Sequence, residues 1–316
     1  MSTTRSLVRV GAGVAALATV AATTGSVSAH PKYRTLHSTA HTISVNTTYS
    51  DVDPAAPTLH LVLTDKTIKG LPETLAPGWH TLVLTDNTKG GRDLDVVKVH
   101  AGAKYGVKQF KADIAKANND NPAVVVAGVK DIIKNSQAEG GIAAPKGYIA
   151  LHQKMMVDFQ AGRAYIFDNA ADSSGPENAT LVQVTGAPTT MKAPKPTGIV
   201  ATHEYGFNTV KLHKGKNLVK FTSIGAEAHI VFGLQVPPGT TADDVEKQLA
   251  DPNAKDLPGR PVLAVNPMTH GGSFVTPVTL SPGTYAFVCF MPELKAGPMQ
   301  GAPHFLEGMV KVFTIS

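Results

Sequence analysis

The chain has 316 residues, of which 42% are hydrophobic and 17% charged, and its formal net charge is +5. This composition excludes a disordered or fibrous chain and leaves room for about two globular domains. Lysines are scattered, with no basic run interleaved with aromatic residues, so the sequence predicts no nucleic-acid partner.

The first 29 residues have the pattern of a signal peptide. Arg5 and Arg9 supply positive charge, residues 10–22 form an apolar run rich in small residues, and residues 27–29 form a small-residue cleavage site. The apolar run is shorter than the ~20 residues of a transmembrane helix, and no second candidate span follows. We therefore expect a cleaved leader over residues 1–29, a secreted protein and no integral membrane span.

The first half of the mature chain is predicted to be a flexible lead-in with a first strand (residues 30–57) and then a β-sandwich domain (residues 58–190). Short β-type runs alternate with turn residues. Residues 107–116 have apolar side chains three and four apart, which predicts a helix. The predicted strands lie at 42–49, 59–64, 78–86, 94–99, 143–158, 162–169 and 179–185, and a helical or strand segment lies at 124–133.

A linker with two prolines, residues 191–197, divides the chain, because neither proline suits a central strand. A second β-sandwich domain is predicted over residues 198–316. A hydroxyl followed by carboxylates at residues 240–244 predicts a capped helix that ends near residue 250. The predicted strands of this half lie at 208–212, 215–222, 229–236, 261–265, 272–280, 283–289 and 309–315.

The two halves share an order of parts, which predicts an internal repeat and an all-β fold of two Greek-key β-sandwiches with short inserted helices. This alignment places Arg92 opposite His229 and Asn169 opposite Cys289, so a metal site is expected only in the second half. The matched segments are 78–83 with 215–219, 96–99 with 232–236, 140–141 with 271–272 (each glycine pair preceding a strand), and 162–167 with 283–287.

Four side chains with soft or borderline donor atoms stand at strand ends of the second half. His229 begins a predicted strand, Cys289 ends one, and His304 and Met309 follow before the last strand. A thiolate, imidazoles and a thioether form the ligand set of a mononuclear copper site. Cys289 is the only cysteine and has no disulfide partner in the chain, so the alternative is a buried, inert thiol.

With these residues the second half resembles the cupredoxins, the blue-copper fold of plastocyanin and of nitrite reductase domains. The resemblance is carried by residues 226–229, by residues 283–289 and by the His304-x4-Met309 spacing; over the first half it concerns the fold alone. It implies one type 1 copper ion bound by His229, Cys289 and His304, with Met309 as a weak axial ligand. It also implies electron transfer or copper handling with a redox or copper-handling protein partner.

One spacing departs from the family pattern. Fourteen residues separate Cys289 from His304, more than the family usually has. The extra residues bulge outward if the site is intact; if His304 does not reach Cys289, then Met291, Met299 and His270 are the substitutes.

Two rival functions stay open. A metal-free secreted interaction module would bind a cell-wall component or another protein; the positive charge fits either an anionic wall or an ordinary soluble surface. A metal-dependent enzyme would use His270 or Glu293, but the sequence has no phosphate loop and no nucleophile elbow. None of the 12 histidines forms the His-x-His pair of a trinuclear copper site, so oxidase turnover is not expected.

Overall fold

A computed structural model of the chain describes residues 57–88, 92–143, 153–170 and 176–316. The predicted leader, the lead-in and the first predicted strand at 42–49 lie outside these residues. The strands are β1 (Thr58–Leu63), β2 (Ile68–Lys69), β3 (Thr74–Leu75), β4 (Gly78–Asp86), β5 (Arg92–Val99), β6 (Ser136–Ala143), β7 (Lys154–Phe159), β8 (Gly162–Ala170), β9 (Pro176–Val184), β10 (Gly198–His203), β11 (Gly206–Val210), β12 (Gly215–Ser223), β13 (His229–Val236), β14 (Arg260–Met268), β15 (Ser273–Leu280), β16 (Gly283–Val288) and β17 (Val310–Ile315). The helices are α1 (Val107–Ala117), α2 (Pro122–Asn135) and α3 (Ala242–Ala250), and a 3₁₀ turn covers His304–Glu307.

Two mixed sheets form the fold. One has the strand order β11-β10-β12-β15-β7-β4-β1-β2, and the other has the order β17-β16-β13-β14-β6-β5-β8-β9-β3. Successive strands of the second half change sheet between β12 and β13, between β14 and β15, and between β15 and β16. These crossings place two apolar sheet faces against each other, as in a β-sandwich. The predicted all-β class and sandwich architecture are confirmed.

Both sheets run without interruption from one half of the chain to the other. In the first sheet, β7 pairs with β15 through Met156 and Val275. In the second sheet, β6 pairs with β14 through Ile142 and Val265. Strands from each side of residues 191–197 therefore share backbone hydrogen bonding.

Helices α2 and α3 begin at a side-chain cap, whereas α1 begins after Gly106 without one. Thr241 caps α3, since its hydroxyl accepts a hydrogen bond from the Asp244 amide while the Asp244 carboxylate accepts one from the Thr241 amide. The side chain of Asn121 caps α2, which settles the segment at 124–133 as a helix. Within the described residues, every helix is too short or too polar to cross a membrane.

Some strand predictions were wrong in detail. Strand β10 was missed, and the strand predicted at 208–212 is Gly206–Val210. Gly140 and Gly141 lie inside β6 and do not precede a strand. A Cβ on Gly141 would lie 2.0 Å from the carbonyl oxygen of Leu94, so the close approach of β5, and not a turn, explains this glycine.

Three adjacent strands, β13, β16 and β17, bring predicted ligands together. Phe232 of β13 pairs with Val288 of β16, and Val288 pairs with Val310 of β17. The first residue of β13, the residue after β16 and the residue before β17 are His229, Cys289 and Met309. Three of the predicted ligands thus lie at the same end of the same sheet.

Candidate metal centre

The loop between Cys289 and His304 folds back on itself and returns to its starting point. Pro292 and Pro303 form an isolated β-bridge, so the intervening residues project outward. The His304 amide then donates to the Met291 carbonyl at 2.8 Å, and the Phe305 amide donates to the Cys289 carbonyl at 3.0 Å. The long spacing therefore does not keep His304 from Cys289.

His229, Cys289 and His304 converge on one buried point. The Cys289 Sγ lies 4.0 Å from His229 Nδ1 and 3.6 Å from His304 Nδ1, and the two Nδ1 atoms are 3.2 Å apart. All three side chains are fully buried. One thiolate and two imidazoles can hold a metal ion there, because their ligand atoms lie within 4.8 Å of one another.

Met309 lies beside this group through its backbone. Its amide donates to the His304 carbonyl at 3.1 Å, and its carbonyl accepts from the Cys289 amide at 3.2 Å. Gly308, with φ +85°, ends the 3₁₀ turn in the left-handed conformation that favours glycine and directs the chain into β17. Met309 is fully buried, and its role as an axial ligand stays a prediction.

The substitute ligands are not needed by this geometry. The Met291 carbonyl accepts the His304 amide, so this residue supports the loop through its backbone. His270 lies at the surface, where its Nδ1 is 3.1 Å from the Gly225 carbonyl oxygen. Met299 is half-buried in the outward part of the loop.

A carboxylate that the sequence did not single out orients His304. The Nε2 of His304 lies 3.1 Å from the Glu227 Oε2, which also accepts the Leu294 amide at 3.0 Å. A carboxylate behind a ligand imidazole fixes which nitrogen faces the metal. Glu227 stands two residues before His229, but its contact is with His304, 77 residues further along the chain, so local spacing does not predict it.

A half-buried tyrosine covers the outer side of His304. The ring of Tyr205 packs edge-on against the imidazole at a centroid distance of 5.5 Å, and its hydroxyl donates to the Glu293 carboxylate. Tyr205 itself has φ +54°, which is unusual for a bulky residue. Such strained positions cluster at functional sites, and here the strain places an aromatic ring over a candidate ligand.

The electrostatics favour a thiolate in the metal-free protein. Burial raises the pKa of the Cys289 thiol, but the two imidazoles outweigh this and lower the pKa to about 6. Burial lowers the pKa of His304, while the Cys289 thiolate and Glu227 raise the pKa to about 9. Between these pH values the site holds a thiolate beside an imidazolium, so the sulfur is ready to bind a soft metal ion.

This charge state has a testable pH dependence. We expect the ultraviolet thiolate absorbance of the metal-free protein to appear with a midpoint near pH 6 and not near the ordinary thiol value of 9.0. The pKa of the thiol is lower in the folded protein than the ordinary value of 9.0. The thiolate therefore contributes fully to the stability of the fold above pH 9.0, and this contribution is lost as the pH falls through about 6. A folded-state midpoint near 9 would contradict the arrangement, and Cys289→Ser supplies the blank.

No protein-family model and no curated protein matches this sequence. Among solved structures, dithionite-reduced auracyanin from the photosynthetic bacterium Roseiflexus castenholzii is 23% identical, with a TM-score of 0.26, over 37% of this chain and 94% of that one. Auracyanin B is 21% identical, with a TM-score of 0.23, over 37% of this chain and 86% of that one. A blue copper oxidase from Nitrosomonas europaea is 9% identical, with a TM-score of 0.20, over 74% of this chain and 79% of that one. These superpositions are partial, so the case for a metal centre lies in the side chains of this chain.

The second half resembles a cupredoxin. Its β-sandwich ends in β16, the ligand loop and β17, and His229, Cys289 and His304 lie together as the resemblance implied. Glu227, Glu293 and Tyr205 are residues whose position around His304 the sequence did not reveal.

Proposed function

We propose that the chain binds one copper ion through His229, Cys289 and His304 and that it transfers single electrons or handles copper outside the membrane. The convergence of one thiolate and two imidazoles, all fully buried, is the observation that carries this proposal. A redox or copper-handling protein is the proposed partner, and secretion with wall association is the proposed location.

The donor set fits copper better than it fits calcium or magnesium. Thiolate and imidazole together stabilise both copper oxidation states, whereas calcium and magnesium prefer oxygen ligands. Copper held in this way supplies one-electron chemistry. Met309 is proposed as the weak axial donor, since its backbone joins both Cys289 and His304.

The remaining chemistry belongs to the protein's own groups. The imidazoles of His229 and His304 stabilise the Cys289 thiolate. Glu227 accepts the Nε2 proton of His304, so Nδ1 is the nitrogen that would bind copper once its own proton is lost. The buried position excludes water, and the strands that carry Cys289 and His229 limit rearrangement between oxidation states.

Titration of the purified protein with Cu(II) tests the proposal. One equivalent should bind and produce an intense visible band from thiolate-to-copper charge transfer. If no band develops and elemental analysis recovers no copper, the chain is a metal-free β-sandwich, which is the interaction-module alternative.

Removal of the carboxylate behind His304 should weaken copper binding. In Glu227→Ala the imidazole loses its acceptor and can rotate, so we expect a loss of about 10–100-fold in affinity, as is typical for such supporting residues. Glu227→Gln keeps an acceptor oxygen and should lose less.

Copper affinity measured by competition with a chelator compares the two variants. Glu307→Gln is the matched control, because Glu307 lies in the same 3₁₀ turn but in neither ligand group of the described residues. Equal affinities for wild type and Glu227→Ala would contradict this role of Glu227.

A further inference from the structure

A second group of potential ligands lies on the other side of the His304 ring. The carboxylates of Glu227 and Glu293 and a nitrogen of His304 have ligand atoms within 4.8 Å of one another. The exposed fractions are 5% for Glu227, 4% for Glu293 and 0% for His304. Because Cys289 and His229 meet Nδ1, the nitrogen directed to Glu227 is Nε2.

The two buried carboxylates have one cationic partner between them in the described residues. Among the described residues, the only ion pair made by either one joins Glu227 to His304. The amine of Lys295 contacts the Tyr205 hydroxyl at 3.3 Å and makes no ion pair with Glu293. Buried charges are costly unless they are paired or coordinate a metal ion, so this position favours a bound cation.

The carboxylates are also held in place from outside. The amide of Lys295 donates to Glu293 Oε1 at 2.7 Å, and the Tyr205 hydroxyl donates to Glu293 Oε2. The Leu294 amide holds Glu227 Oε2 at 3.0 Å. Carboxylate oxygens have a second lone pair, so such bonds orient the group and leave it able to bind a metal ion.

One oxygen of this group accepts no hydrogen bond from an N–H or hydroxyl donor of the described residues. It is the buried Glu227 Oε1, and the neighbouring Glu293 side chain lies within hydrogen-bonding reach of the Glu227 carboxylate. Buried polar atoms of folded proteins are nearly always bonded, and an exception calls for a missing water or ion. This oxygen therefore supports a ligand at this position independently of the cluster's charge.

We propose that Glu227, Glu293 and Nε2 of His304 form a second cation site for a divalent first-row metal ion of the Zn(II) class. Two carboxylate oxygens and one imidazole nitrogen suit such an ion. The cation would displace the Nε2 proton to solvent, and with both sites loaded the His304 ring would be a ligand of both metal ions. The bridge rests on the proposed copper site, whereas the cation site itself does not.

Zn(II) is the probe, because it has no redox chemistry. Cys289→Ala removes the thiolate of the first site and leaves the second group intact, so this variant should retain one Zn(II) after dialysis, measured by elemental analysis. Adding Glu293→Gln should weaken retention at least about tenfold, since a ligand is lost. Adding Glu307→Gln should leave it unchanged.

The copper-loaded wild-type chain gives a second measurement if Cys289→Ala does not fold. Zn(II) should bind there with one further equivalent and change the copper electron paramagnetic resonance spectrum through the shared ring, and Glu293→Gln should abolish both effects. The proposal is overturned if neither form retains Zn(II), or if Glu293→Gln does not alter retention. Failure of copper binding would leave the Cys289→Ala result interpretable, so the two proposals can fail separately.

Discussion

Replacing Cys289 by serine should abolish the intense visible band of the copper-loaded protein. The band requires charge transfer from a thiolate, and Cys289 provides the only sulfur of that kind in the chain. A serine hydroxyl remains protonated near neutral pH and is a harder donor, so the affinity for copper should also fall. This is the largest functional effect that we expect from one substitution.

Absorption and copper stoichiometry should be measured together for Cys289→Ser. His270→Ala is the matched control, because His270 is a surface histidine whose ring binds only a backbone carbonyl in the described residues. We expect His270→Ala to keep the band and one equivalent of copper. A band that persists in Cys289→Ser, or disappears in His270→Ala, would show that copper binds elsewhere.

Replacing Arg92 by methionine should strongly destabilise the first half of the chain. The Arg92 guanidinium lies 3.1 Å from the Asp168 carboxylate, and the exposed side-chain fractions are 7% and 0%. Asp168 also accepts the Asn178 amide at 2.7 Å, so it stays in place when its cation is removed. A buried charge left without its partner costs about 3–5 kcal/mol.

Urea unfolding measures this loss as a change in the free energy of unfolding. Asp131→Asn is the comparison, because the Asp131 ion pair with Lys116 is 44% and 40% exposed and should contribute less than about 1 kcal/mol. Similar losses for Arg92→Met and Asp131→Asn would refute the burial argument. The copper band should be unchanged in Arg92→Met wherever the protein remains folded.

Local patterns revealed most strands and the three converging ligands. His229 and Cys289 stand at the ends of apolar β-type runs, and strand ends of adjacent strands meet at one edge of a sheet. Periodicity is a short-range signal. It predicted that His229 and Cys289 stand at strand ends, but it gave no information about the loop that brings His304 back to Cys289.

The supporting residues depend on contacts between distant segments, which periodicity does not encode. Glu293 was considered for the enzyme alternative but not as a neighbour of Glu227 and His304, and Tyr205 sits in a hairpin turn next to β10, a strand that was missed. Gly140 and Gly141 were expected to precede a strand, whereas they lie within β6, where the neighbouring strand leaves no space for a side chain on Gly141.

Continuous pairing through β6–β14 and β7–β15 has a consequence for dissection of the chain. A gene fragment encoding only residues 198–316 would present two open strand edges, and unpaired edges recruit other chains. We expect such a fragment to aggregate or to dimerise through those edges, even though it contains every proposed copper ligand. The first half of the chain thereby covers the edges of β14 and β15 and prevents the second half from associating with other chains.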